Sequence, residues 1–173
     1  MHALIISGDG FEDQELLVPR DELRADGFTV DVVTPGAQAI QGKRGAVVNA
    51  DGDIDGTDAA AYDLLVLPGG KAPAALRKDP KVLSLARHFM AAHKPVAAVC
   101  HGPQILVSAD VLRGKKATSY AAVAAELKAA GADYIDGEVV VDDNLITSRK
   151  PADLPAFVRA IRRTLGNRAA RSP

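Results

Sequence analysis

The 173-residue chain has one cysteine, Cys100, no tryptophan, two methionines and only 4% aromatic residues. One thiol excludes any intrachain disulfide, and nothing in the cysteine usage points to an oxidising compartment. Long apolar runs are missing as well. Segments such as Leu64 to Leu67 fall far short of the roughly 20 residues a membrane span needs. Neither sign of charge is in excess: 21 Lys and Arg against 22 Asp and Glu give a net charge of -1 and a pI near 6.4. Such a balance offers no overall attraction for a phosphate backbone or an anionic bilayer, so neither nucleic acid nor membrane is the expected partner. The start runs from Met1 through Ala3 to Ile6 into Asp9 and Glu12, unlike a secretory signal, and the cytoplasm is the expected location.

What is present fits one globular domain. Apolar residues make up 47% and charged residues 25%, and a chain of this length can bury a full core. The domain is expected over 1–166, with a frayed tail over 167–173 where the apolar period stops. Short β-rich runs at His2 to Ser7, Thr29 to Val33, Asp63 to Pro68 and Pro95 to Val99 alternate with amphipathic stretches. The runs are apolar on both alternating faces, which predicts an α/β three-layer sandwich with a mostly parallel central sheet. Helical patterns follow at Leu16 to Arg24, Val82 to Phe89, Val123 to Ala130 and Leu154 to Leu165. Turn signals at Asp136-Gly137 and at Asp142 to Asn144 predict a small antiparallel addition. A further hairpin off the main sheet is expected within Gly42 to Asp53.

The segment Pro95 to Leu106, "PVAAVCHGPQIL", carries most of the chemical information. A buried strand reaches Cys100 and a helical pattern begins at once, so the chain turns sharply at the cysteine. Nucleophile elbows of this kind need small residues two before and two after the nucleophile, and here those are Ala98 and Gly102. The helix start should favour thiolate, and the His101 N–H should face a developing oxyanion. The competing reading is a buried, inert thiol.

Near the end of the first strand, "SGDGFEDQEL" lacks the third glycine of a dinucleotide loop and the Gly-Lys-Ser/Thr of a phosphate loop, so no cofactor is expected. It does bring Glu12 to the carboxyl end of a central strand, where sites form in open α/β sheets. Glu12 is the expected carboxyl partner of the thiol, with helix capping as its alternative role. Gly69-Gly70 permits close backbone approach, and Gly70 is the expected second oxyanion donor. Tyr120 is a candidate for the site's edge. His2, His88 and His93 show no metal-binding spacing, so no metal is expected.

Five blocks in order give the chain a wider likeness: "FEDQEL" at 11 to 16, "LVLPGGKAP" at 65 to 73, "KPVAAVCHGPQIL" at 94 to 106, "VLRGKKATSY" at 111 to 120 and "SRKPADLPAF" at 148 to 157. On these residues the sequence resembles the ThiJ/PfpI superfamily, within the class I glutamine amidotransferase-like fold group, and most closely its PfpI-type intracellular protease branch. The resemblance implies a flavodoxin-like sandwich, Cys100 as nucleophile hydrogen-bonded to Glu12, oxyanion donors at Gly70 and His101, and a homo-oligomer, dimer or hexamer. It also implies activities ranging over peptide hydrolysis, cofactor-free glyoxalase action, deglycation and stress protection. One position departs from the branch: a glutamate that would orient the histidine is replaced by Ala74. Amide cleavage depends on a positioned acid more than dicarbonyl isomerisation does. The expected substrate is therefore a small dicarbonyl such as methylglyoxal, ahead of a peptide. A third reading is a redox sensor or chaperone in which Cys100 oxidises to a sulfinate.

Overall fold

A computed structural model of the chain describes residues 1–171. In chain order its strands are β1 (His2–Ile6), β2 (Thr29–Thr34), β3 (Ile40–Gln41), β4 (Val47–Val48), β5 (Gly52–Asp53), β6 (Leu64–Leu67), β7 (Val96–Val99), β8 (Lys116–Ala117), β9 (Asp133–Tyr134), β10 (Val139–Asp142) and β11 (Leu145–Ser148). Its helices are α1 (Asp13–Ala25), α2 (Ala72–Leu76), α3 (Pro80–Ala91), α4 (Pro103–Ser108), α5 (Ala124–Ala129) and α6 (Leu154–Arg171). Seven strands form the central sheet in the order β10-β11-β7-β6-β1-β2-β5. Every pairing is parallel except β10 against β11.

The residues of β1 from Ala3 to Ile6, and those of β6 and β7 throughout, are fully buried. Strands apolar on both faces need helices on both, and the sheet is covered on both sides in the flavodoxin-like manner. On one face α1 and α6 pack together, and Arg162 of α6 bonds Asp26 at 2.6 Å and Glu22 at 2.7 Å. Among the described residues no helix is long and apolar enough to cross a membrane.

Three local expectations differ from the structure. Within Gly42 to Asp53, β4 does pair antiparallel with β3, but β5 joins the main sheet beside β2. Asp51 holds it there, donating its N–H to the Val32 carbonyl at 2.7 Å and accepting the Val32 N–H at 2.8 Å. The hairpin after Asp136 is no separate addition: β11 pairs with β7, so its turn lies within the central sheet, while β9 pairs parallel with β8. The last helix continues through Arg171, beyond the end of its apolar period, so residues 167–171 are helical, with Arg168 donating to the His93 carbonyl. The rest of the expected frayed tail, Ser172 and Pro173, lies outside the described residues.

The chain runs from β1 to β2 on one side, then returns to place β6 on the other side of β1. The crevice beyond the carboxyl ends of strands at such a reversal is where open α/β sheets bind ligands. The loops after β1, β6 and β7 all open there. The first two are joined: Glu12 N–H donates to Gly69 O at 3.1 Å and Lys71 N–H to Gly10 O at 2.7 Å.

Candidate active site

Cys100 follows β7 with φ of +63°, a left-handed conformation that costs a non-glycine residue on the order of 1–2 kcal/mol. The surroundings hold it in place. Its N–H donates to Ser148 O at 3.0 Å, and its carbonyl accepts the Tyr120 N–H at 3.0 Å. Gly102 N–H closes the turn on Val99 O at 2.8 Å. A Cβ on Gly102 would lie 2.2 Å from Leu67 O, which is why the second residue after the nucleophile is glycine. The elbow read from the sequence is present, and the thiol is only 7% exposed.

The carboxyl beside that thiol belongs to Glu15, not to the expected Glu12. Glu12 caps α1, accepting the Glu15 N–H at 3.0 Å, and pairs with Arg44 Nε at 3.2 Å. Glu15 lies three residues into the helix, on the face it shares with buried Pro19 and Leu23 at i+4 and i+8. That face is turned inward. Its Oε1 accepts the Gly69 N–H at 2.9 Å, its Oε2 is buried with no hydrogen-bond partner, and the carboxyl lies beside the Cys100 thiol, each group shifting the other's pKa.

Burial, and next the charge of Glu12, push Glu15 up to about 8, against pulls from the Gly69 N–H, the thiol and Lys43. Burial, and next the Glu15 charge, push Cys100 up to about 12. Hydrogen bonds from the Gly70 and His101 N–H groups to the sulfur oppose this without reversing it. The helix start was expected to favour thiolate. Burial and the neighbouring Glu15 charge act in the opposite direction and raise the thiol instead. Near neutrality the carboxyl is protonated and the sulfur is a thiol that needs a base.

His101 lies beside the thiol, with Nδ1 3.3 Å from Cys100 Sγ. Burial, and next Lys43, lower its pKa below the ordinary value, so its ring is neutral at pH 7. Tyr120, 42% exposed, lies against that ring with centroids 5.0 Å apart. Gly70 has φ of +84°, and a Cβ there would lie 2.3 Å from Glu12 N, so a side chain is excluded where the two loops meet. Ala74 lines the same cavity, as do Gln104, Lys43, Arg44, Lys71 and Lys150.

The sequence reading missed Glu15, the cationic residues and one further acid, Glu126. Glu126 raises the His101 pKa through space, yet its carboxylate is held by Arg77 and by Gln104 Nε2 at 3.0 Å. The remaining histidines are elsewhere: His2 pairs with Asp31 at 3.0 Å and His93 with Asp143 at 3.2 Å.

A thiol on an elbow, a neutral histidine beside it and a buried acid against it define a cysteine-centred site in an α/β sandwich. The chain matches the DJ-1/PfpI family over residues 1–164 and belongs to that family. It is 46% identical over 159 residues to a deglycase of Thermococcus kodakarensis, covering 92% of this chain and 96% of that one. It is also 46% identical over 165 residues to protein/nucleic acid deglycase 2 of Escherichia coli, covering 94% and 96%. Among solved structures it superposes with a TM-score of 0.93, at 42% identity and over 95% of its length, on a two-domain protein of Anabaena variabilis. That protein contains DJ-1/ThiJ/PfpI-like and ferritin-like domains, and this chain spans 48% of it.

Proposed function

We propose that the chain is a cofactor-free cysteine enzyme that converts small α-oxoaldehydes to α-hydroxy acids and removes the same dicarbonyls from early amine adducts. The observation that carries this reading is the 3.3 Å approach of His101 Nδ1 to Cys100 Sγ, beside an acid of raised pKa.

Sulfur bonds to the aldehyde carbon as its proton passes to His101 Nδ1. The aldehyde oxygen develops negative charge near the Gly70 and His101 N–H groups, the candidate oxyanion donors. It then takes the proton from His101, giving a hemithioacetal. Next the proton on the former aldehyde carbon leaves to a base, and the neighbouring carbonyl carbon gains one through an enediol. Glu15 is the candidate carrier, because a carboxyl titrating near 8 is effective in either direction around neutral pH. The resulting thioester is hydrolysed by one water to the hydroxy acid, and the thiol is restored. From a carbinolamine adduct, attack at the same carbon forms the C–S bond, breaks the C–N bond and releases the amine with the histidine's proton.

Peptide hydrolysis ranks second. Among the described residues no carboxylate hydrogen-bonds the His101 ring, residue 74 is alanine, and Glu126 is already engaged by Arg77 and Gln104. Cleaving an amide needs an oriented imidazolium to protonate a poor leaving group.

The test is lactate formation from methylglyoxal by the wild-type protein and by Cys100→Ala. Product that disappears in the variant supports the reading; wild-type product no greater than the variant's removes it.

A further inference from the structure

The cavity above Cys100 has a volume of about 680 Å³ and an uneven distribution of charge. Four cationic side chains line it, Lys43, Arg44, Lys71 and Lys150, against the carboxyls of Glu12 and Glu15. Arg44 is paired with Glu12 at 3.2 Å, and Glu15 holds its proton up to about 8. Three lysines remain. None of their ammonium groups has a hydrogen bond or ion pair among the described residues; Lys43 acts only through space, on Glu15 and His101.

Three lysines without ion-pair partners among the described residues thus line one cavity, on a chain whose net charge is -1. They come from separate parts of the fold: Lys43 from the turn between β3 and β4, Lys71 from the residue before α2, and Lys150 from the loop after β11. A cleft lined by one sign of charge focuses the field and concentrates counter-ions inside it. A neutral aldehyde gains no binding energy from such a field, whereas a substrate that carries an anionic group does.

We infer that this pocket selects reactive carbonyl compounds that carry an anionic group, a carboxylate or a phosphate, which Lys43, Lys71 and Lys150 receive while the aldehyde meets Cys100. The inference rests on the proposed chemistry of Cys100 and names the substrate class within it.

Because Cys100 is the only cysteine, alkylation reads this site alone. The rate constants for iodoacetate and iodoacetamide are compared, and their ratio is divided by that of N-acetylcysteinamide, an uncharged reference thiol. The expected normalised ratio is about tenfold or more at low salt, falling toward one near 0.5 M salt. It also falls toward one when all three lysines are changed to glutamine. Single Lys→Gln changes, each on an exposed side chain, lower it part way. A normalised ratio of one, or a ratio unmoved by the triple change, overturns the inference.

Protection of Cys100 against iodoacetamide separates the two anion sources. Protection at lower concentration by inorganic phosphate assigns a phosphate-bearing substrate, and by succinate a carboxylate-bearing one; protection by neither counts against the inference. The methylglyoxal assay is independent of this result. A protein that makes no lactate but keeps the high ratio loses the dicarbonyl reading and retains anion selection, and lactate formation with a ratio of one does the reverse.

Discussion

Glu15 accepts the Gly69 N–H at 2.9 Å with its carboxyl beside the Cys100 thiol, so the first turn of α1, the loop after β6 and the elbow after β7 meet at one buried carboxyl. Two ionisable groups this close lose their protons as a pair. The first proton leaves near 8 and the second near 12.

Glu15→Gln keeps an oxygen for the Gly69 N–H but cannot exchange a proton. Lactate formation from methylglyoxal falls on the order of 100-fold or more, while iodoacetamide still labels Cys100. A variant that keeps both activities would show that the carboxyl only supports the loop.

The same substitution has a stability consequence whose sign is set by the direction of the Glu15 shift. The folded-state value near 8 lies above the reference value of 4.5, so between these pH values the folded protein holds a proton that the unfolded chain has released. Stabilisation is therefore complete below about 4.5 and is lost as pH rises through about 8. The wild-type stability relative to Glu15→Gln falls across that window by a few kcal/mol, on the order of 4. Thermal melts of both proteins from pH 4.5 to 8.5 measure it, and parallel curves would refute the linkage.

Glu12→Gln separates the two acids. Its charge helps raise the Glu15 pKa, so removing it moves the lower pH step in Cys100 alkylation toward acid and leaves the thiol reactive. Loss of alkylation throughout the pH range would instead restore Glu12 as the thiol's partner.

Gly102→Ala forces a Cβ against Leu67 O at 2.2 Å, and Gly70→Ala forces one against Glu12 N at 2.3 Å at a φ of +84°. Each substitution costs about 1–3 kcal/mol or more, from packing alone at Gly102, whose backbone is right-handed helical, and from packing and backbone strain at Gly70, lowering Tm by roughly 2–4 °C per kcal/mol. Gly27→Ala, with open space around it but φ of +89°, serves as the control for backbone strain alone. Equal Tm losses in all three would remove the steric account.

Much of this architecture was legible in the sequence because it follows from periodicity. Uninterrupted apolar runs at β1, β6 and β7 imply a doubly covered sheet, and the small residues around Cys100 imply the elbow. The carboxyl partner was missed by one helical turn. Both Glu12 and Glu15 lie at the start of α1, and choosing between them requires locating the helix boundary, the least certain feature of a sequence reading. The available signal was spacing: Glu15 shares a face with Pro19 and Leu23, whereas Glu12 stands where a cap belongs. The lysines were not legible together. Lys43, Lys71 and Lys150 are far apart in the chain, and only the topology brings their loops to one edge of the sheet. The raised thiol pKa was hidden for a similar reason, since burial beside an acid is a property of packing rather than of local pattern.

The backbone of Cys100 is tied at both of its polar groups, to Ser148 of β11 and to the N–H of Tyr120, and Gly102 closes the turn from below with no room for a side chain. The sulfur therefore behaves as a fixed post, and an incoming molecule must fit itself to it. The groups around the opening are long, exposed side chains on separate loops. Tolerance for new substrates resides in that perimeter, so libraries that vary Lys43, Lys71, Lys150 and Ala74 while leaving 96–102 untouched are the economical way to redirect the enzyme.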